Sequence, residues 1–250
     1  DTVRSCLGTI EAGNALEVGR FRDSSTLTEL YGGGASSELA GLFATEDPAR
    51  SRGTFRLLGA TGGGSQVAIE CEWRAAAAAD QPASTTRIAF ALFCVVREGR
   101  IVRQRIYAGR PATAEAKSVG GVVRPIRGVP EVTGTSNFER AQKWVRMVGT
   151  GADRETLAAA YDPAAGGLEA PTSEWPEGRL LEAGALLDDS ELSRPVTTLA
   201  GCSLHGATGG GSTVAMELRL PEPGDTRPRG AAVFLRFREG RIVRQSLYIG

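Results

Sequence analysis

Acid–base chemistry on a small organic molecule needs a carboxyl group held away from water, where desolvation lifts its pKa toward neutrality. It also needs a hydrogen-bond donor facing the oxyanion that develops. In this sequence of 250 residues those groups gather between Tyr161 and Glu217. Asp162 directly follows Tyr161 and precedes Pro163; it is either a base or the aspartate of a turn. His205 is the single histidine, the side chain type whose ordinary pKa lies nearest neutrality. Its role is that of a proton donor, shared with Tyr161, or of an exposed histidine at a strand end. Glu217 is a second base if its strand face lines a pocket and a surface charge if that face meets solvent or the other copy. Trp144 and Trp175 suit a pocket wall or a core. Arg244 suits a ligand's carbonyl or anionic group, or an ion pair between strands or copies.

Other chemistries are poorly served. The four cysteines (Cys6, Cys71, Cys94, Cys202) form no C-x-x-C pair, and one histidine cannot complete a zinc site. Cys71 and Cys94 sit among apolar residues, where a free thiol acts as a small hydrophobe, although a disulfide between them is conceivable. The Gly-rich Ala-Thr-Gly-Gly-Gly-Ser loops lack the lysine and following helix of a phosphate cradle. Asp188, Asp189 and Glu191 read as a solvated helix end rather than a metal site, and no G-x-S-x-G elbow occurs. The expectation is an enzyme without cofactor or metal. Lys+Arg and Asp+Glu both number 29, so charge gives no reason to expect nucleic acid or an anionic membrane surface. No run of 18 apolar residues predicts a membrane span. No basic and apolar leader opens the sequence, although the chain starts at Asp1 and trimmed ends stay open. A cytoplasmic protein with reduced cysteines is expected.

The elements that must position these groups come twice. Arg97 to Gln104 recurs unchanged as Arg238 to Gln245, and Gly59 to Ser65 as Gly206 to Ser212. Upstream, Asp23 to Tyr31 resembles Asp153 to Tyr161. The copies span 1–110 and 135–250, and 111–134, rich in Pro, Gly, Val and Ala, reads as a linker. In the second copy Phe138, Ala141, Trp144, Val145 and Val148 fall at helical spacing. Asp153 then caps a short helix that ends near Tyr161. The first copy predicts the same from Leu7, Ile10, Val18 and Gly19, with Asp23 as the cap. Strands follow. Val67, Ile69, Cys71 and Trp73 alternate with Ala68, Glu70 and Glu72, and Val214 to Leu220 repeats the pattern. Two further strands join through Glu98-Gly99 or Glu239-Gly240. Helices followed by a meander of antiparallel strands make an α+β class with the helices on one sheet face.

This order, with "DRETLAAAYD" and "REGRIVRQSLYIG" and their copies "DSSTLTELYG" and "REGRIVRQRIYAG", resembles the SnoaL-like branch of the NTF2-like superfamily. The resemblance implies two tandem cone domains, each with helices on a curved sheet, paired as an internal pseudo-dimer and open to further self-association. It implies a hydrophobic polyketide-like substrate and ring closure or epoxide opening, or isomerisation, with a non-catalytic binding or scaffold protein of the same fold as the alternative. The family's acid follows the tyrosine, which points to Asp162; the first copy has Gly32 there. From Tyr31 to Gly59 is 28 positions, whereas from Tyr161 to Gly206 is 45, room for the family's further strand and helix. The second copy is therefore expected to be the active one, with the larger cavity, and the first an eroded one.

Overall fold

The computed structural model describes residues 2–11, 20–31, 53–75, 87–108, 136–169, 179–181, 184–221 and 229–249. The inferred linker and Trp175 lie outside them, as do Val18 and Gly19. The chain divides into two compact units, one built mainly on each copy. Among the described residues no helix is long and apolar enough to cross a membrane.

The first unit has a helix α1 (Thr2–Glu11) and five strands, β1 (Arg22–Tyr31), β2 (Gly53–Gly63), β3 (Gln66–Ala75), β4 (Arg87–Arg97) and β5 (Arg100–Ala108). They form one sheet in the order β1-β5-β4-β3-β2. The second unit has α2 (Asn137–Gly149), α3 (Arg154–Ala158), β6 (Tyr161–Glu169), β7 (Arg179–Leu181), a 3-10 turn at Ala185–Leu187 and α4 (Asp189–Thr198). It closes with β8 (Ser203–Gly209), β9 (Thr213–Arg219), β10 (Gly230–Arg238) and β11 (Arg241–Ile249), in a sheet ordered β7-β6-β11-β10-β9-β8.

Local signals explain most of these elements. Ser136 and Glu139 form a reciprocal capping box at the start of α2, and Ala141, Trp144, Val145 and Val148 are its buried stripe. Asp153 caps α3 by accepting from the Thr156 N–H at 2.8 Å. The hairpins β4–β5 and β10–β11 turn at Glu98-Gly99 and Glu239-Gly240. All four residues have positive φ, between 50° and 78°, the backbone that two-residue hairpins require. The longer connection between Tyr161 and Gly206 holds the strand β7 and the helix α4.

Two expectations need correction. The sheets are mixed, not purely antiparallel: β1 runs parallel to β5 and β6 parallel to β11. A strand entering from the helical layer meets the last strand of its copy head to head, so no hairpin dictates an antiparallel sense. Second, Asp23 caps no helix, because Arg22–Tyr31 is strand β1. The residues Glu70, Glu72 and Glu217 are 3%, 1% and 5% exposed.

The register also realigns the two copies. Arg22 lies opposite Ile101 and Tyr161 opposite Ile242, the same position of the duplicated hairpin. Ile101 donates its N–H to the Phe21 carbonyl as Ile242 does to that of Ala160. Both parallel strands then carry a five-residue step, Arg22 to Leu27 and Tyr161 to Gly166, against two residues of the partner. Asp23 is thus the counterpart of Asp162, and Gly32 is not. The missing acid, which suggested an eroded first copy, is present at the equivalent register position.

Candidate functional site

In the second unit α2 lies over the sheet and lowers Trp144 onto the first residue of β6. The indole Nε1 donates to the Tyr161 hydroxyl at 2.8 Å, and that hydroxyl donates to Gln245 Oε1 at 2.6 Å. All three side chains are buried. Burial pushes the Tyr161 phenol well above its ordinary pKa, against a smaller opposing effect of the Trp144 bond. The hydroxyl is already engaged as both donor and acceptor, which makes it a brace between helix and sheet.

Asp162 points elsewhere. Its carboxylate accepts from the Ala164 N–H at 2.9 Å, an Asx-type turn inside the strand step, and pairs with Arg238 at 3.1 Å. The Ala164 bond first, then Arg238, hold its pKa below the ordinary carboxylate value. This is the opposite of the raised pKa that a base held away from water would have; α3 stops at Ala158 and Asp162 sits on β6.

His205 is exposed at the bulge of β8, between the paired residues Leu204 and Gly206. Its counterpart Leu58 stands in the same bulge of β2 but is buried. Glu217 lies on β9 opposite Ala232 of β10. Arg244, half-buried on β11, faces Gly166 across the parallel pair. In the first copy the matching Arg103 makes a cross-strand ion pair with Glu29 at 2.7 Å. By register the place of Glu29 falls to Leu168 in the second copy, which removes that partner for Arg244. The structure brings Trp144 and Tyr161 together and leaves Asp162 and His205 apart from that pair.

A cavity formed by described residues lies in the first unit. It has a volume of about 570 Å³, against about 410 and 300 Å³ for two in the second unit. Val3 and Gly8 of α1 form one side of it. Phe55 and Leu57 of β2, Val67, Ile69 and Cys71 of β3, and Val96 of β4 form the other. Leu57 is 45% exposed, which places an apolar side chain where the cavity meets solvent.

The repeat explains the difference in size. Cys71 stands where the second copy has Leu218, and Val96 where it has Phe237. Cys6, whose thiol bonds to Arg22, takes the place of Trp144, which bonds to Tyr161. Phe55, in the place of Cys202, is a change in the other direction. In the second unit, Leu186, Leu192 and Leu199 from the longer connection are buried, so the extra residues add to its core. The small-for-large exchanges at Cys71 and Val96 are the signal for this wall that the sequence carries.

The thiols add no disulfide. All four cysteines are free, and the register places Cys71 opposite Phe90 but Cys94 opposite Val67. Four residues of strand, about 13 Å, is too far for a bridge. Burial, then the Glu70 and Cys94 charges, push the Cys71 thiol up. Among the described residues no group of three His, Cys, Asp or Glu side chains is placed to hold a metal ion.

No family model matches the chain, and no curated protein matches it. Solved structures it is similar to include NTF2-like and SnoaL-like proteins. One is an NTF2-like protein of unknown function from Burkholderia xenovorans LB400, 18% identical, covering 46% of this chain and 82% of its own, with a TM-score of 0.33. Another, from Jannaschia sp. CCS1, is assigned as a SnoaL-like polyketide cyclase; it is 10% identical, with coverage of 48% and 90% and a TM-score of 0.37. IdmH of Streptomyces antibioticus, assigned as a polyketide cyclase, is 16% identical, with coverage of 43% and 89% and a TM-score of 0.35.

Proposed function

We propose that the chain is a small-molecule-binding protein whose first copy holds an apolar ligand between α1 and the sheet. The cavity of about 570 Å³, walled by Val3, Phe55, Val67, Ile69 and Val96, carries this reading. Its size suits a compact organic molecule, and its wall would gain by replacing water with hydrocarbon. Titration with the neutral fluorophore N-phenyl-1-naphthylamine tests it. One probe should bind per chain with enhanced emission and should slow alkylation of Cys71 by a maleimide. Emission that stays at its value in buffer would overturn it.

Acid–base catalysis on a polyketide-like substrate is the second reading, and the buried carboxyl of Glu217 is the observation that favours it. In that reading Asp162, His205 and Tyr161 supply the remaining proton transfers, Trp144, Trp175 and Arg244 hold the substrate, and the second copy is the active one. Its test is turnover of an epoxide or enolisable polyketide by Glu217→Gln and Asp162→Asn. A loss of about 100-fold in either, with folding intact, supports it; wild-type rates in both exclude it.

A further inference from the structure

We propose that the second copy carries a separate site for a small apolar carboxylate, between α2, the end of α3 and the β10–β11 hairpin. A cavity of about 300 Å³ lies there, a volume that suits a compact ligand. Its floor is buried Trp144, Phe237 and Ile242 with half-buried Met147. The polar side chains of the wall are half-buried Arg140 and exposed Lys143 and Thr156, beside the indole N–H already given to Tyr161.

The charge of this wall is one-sided. Arg140 and Lys143 stand one turn apart on α2, and no acid lines the cavity. Glu139, the acid one turn before Lys143, is turned to Ser136, from whose N–H it accepts at 2.8 Å. Thr156 donates its hydroxyl to Asp153 at 3.0 Å, so that carboxylate serves the α3 cap. Among the described residues neither cation makes an ion pair.

Arg140 is also held in place. It donates to Asn137 Oδ1 at 3.3 Å, and Asn137 donates to the Gly211 carbonyl at 2.8 Å. Its Cζ lies 2.9 Å from where a Cβ on Gly240 would stand, so the guanidinium rests on the bare backbone of the hairpin turn. The first copy has Thr2 and Ser5 in the places of Arg140 and Lys143, and α1 still packs on its sheet. Helix packing therefore does not call for the two cations. A ligand whose hydrocarbon covers the floor and whose carboxylate meets Arg140 and Lys143 uses both features, through charge-assisted hydrogen bonds. At this open rim the carboxylate keeps part of its hydration, which limits the cost of binding a charge.

The test compares 1-naphthylacetate with 1-naphthylacetamide, alike in size and different in charge, by calorimetry on the full chain at low salt. The carboxylate should bind about three- to tenfold more tightly, and added salt should shrink that advantage. Lys143→Gln and Arg140→Gln should each remove most of it without weakening the amide, while Lys143→Arg should keep it. The naphthyl ring should also shift the Met147 methyl resonance. Equal affinities of acid and amide in the wild-type protein overturn the proposal, as does binding of neither. An advantage untouched by both glutamine variants, or an unmoved Met147 methyl, overturns it too, because the acid then binds elsewhere. Inorganic phosphate binding as tightly as the naphthylacetate would overturn it by showing that the apolar floor contributes nothing. Should Arg140→Gln fail to fold, the exposed Lys143→Gln decides. Failure of this site leaves the first-copy cavity standing, since that reading rests on other residues and a neutral probe.

Discussion

Arg22 and Tyr161 occupy one and the same position in the two copies, each opening the strand that runs parallel to the closing strand of its sheet. Each also reaches the same glutamine of the repeat. Arg22 Nη2 donates to Gln104 Oε1 at 3.3 Å, and the Tyr161 hydroxyl donates to Gln245 Oε1 at 2.6 Å. The position thus ties the first parallel strand to the last one in both units, through a guanidinium in one and a phenol in the other.

Tyr161→Phe should accordingly act on stability. It removes the hydroxyl between Trp144 and Gln245 and leaves a buried indole N–H and a buried amide oxygen without their partner. The expected cost is about 1–3 kcal/mol, read from the denaturant midpoint at unchanged slope. Gln245→Leu should cost less alone, because the Trp144 bond to the hydroxyl survives it. A midpoint for Tyr161→Phe within error of wild type would remove the brace from this account.

The sequence showed the duplication, the α2 stripe, the Asp153 cap and the Glu-Gly hairpins, because each is a local pattern with a local cause. It misled where a local pattern had a distant cause. Asp23 to Tyr31 and Asp153 to Tyr161 look alike as strings, yet the first is a strand and the second contains helix α3. Only the parallel pairing with β5 and β11, some 80 residues away, sets the true equivalence of Arg22 and Tyr161. Of the extra chain length in the second copy, Leu186, Leu192 and Leu199 are buried. Cavity volume follows side-chain size at wall positions such as Cys71 and Val96, which a search for acids passes over.

Asp162 gives a pH prediction with a fixed sign. Its folded pKa lies below the ordinary 3.8, so its contribution is complete above that value and is lost as pH falls through the lower folded pKa. Stability should therefore drop on acidification below about pH 4, and Asp162→Asn should flatten this acid limb. Thermal melts between pH 2.5 and 7 measure it. An unchanged acid limb in Asp162→Asn would show that the Ala164 and Arg238 contacts do not matter in solution.

The thiols should separate by burial. Cys202 is half-buried, while Cys6, Cys71 and Cys94 are buried, and burial raises the pKa of Cys6, Cys71 and Cys202. Under native conditions iodoacetamide should modify Cys202 first. The other three should react at the rate of local or global opening. Peptide mass mapping over time checks this order, and mild oxidation should yield no Cys71–Cys94 bridge. Early labelling of Cys71 ahead of Cys202, with no ligand added, would contradict its placement at the wall of an internal cavity.

The most direct test transplants second-copy side chains into the first-copy wall, as Cys71→Leu with Val96→Phe. Both changes add volume where the cavity of about 570 Å³ lies and leave every charged group in place. Folding is followed by circular dichroism, with Val96→Phe alone as the milder variant should the pair overpack. The measurement is the dissociation constant of N-phenyl-1-naphthylamine. The folded double variant should bind the probe about tenfold more weakly than the wild type, a loss of about 1.4 kcal/mol. An unchanged constant in the folded variant would contradict it, because the probe would then bind somewhere other than between α1 and the sheet.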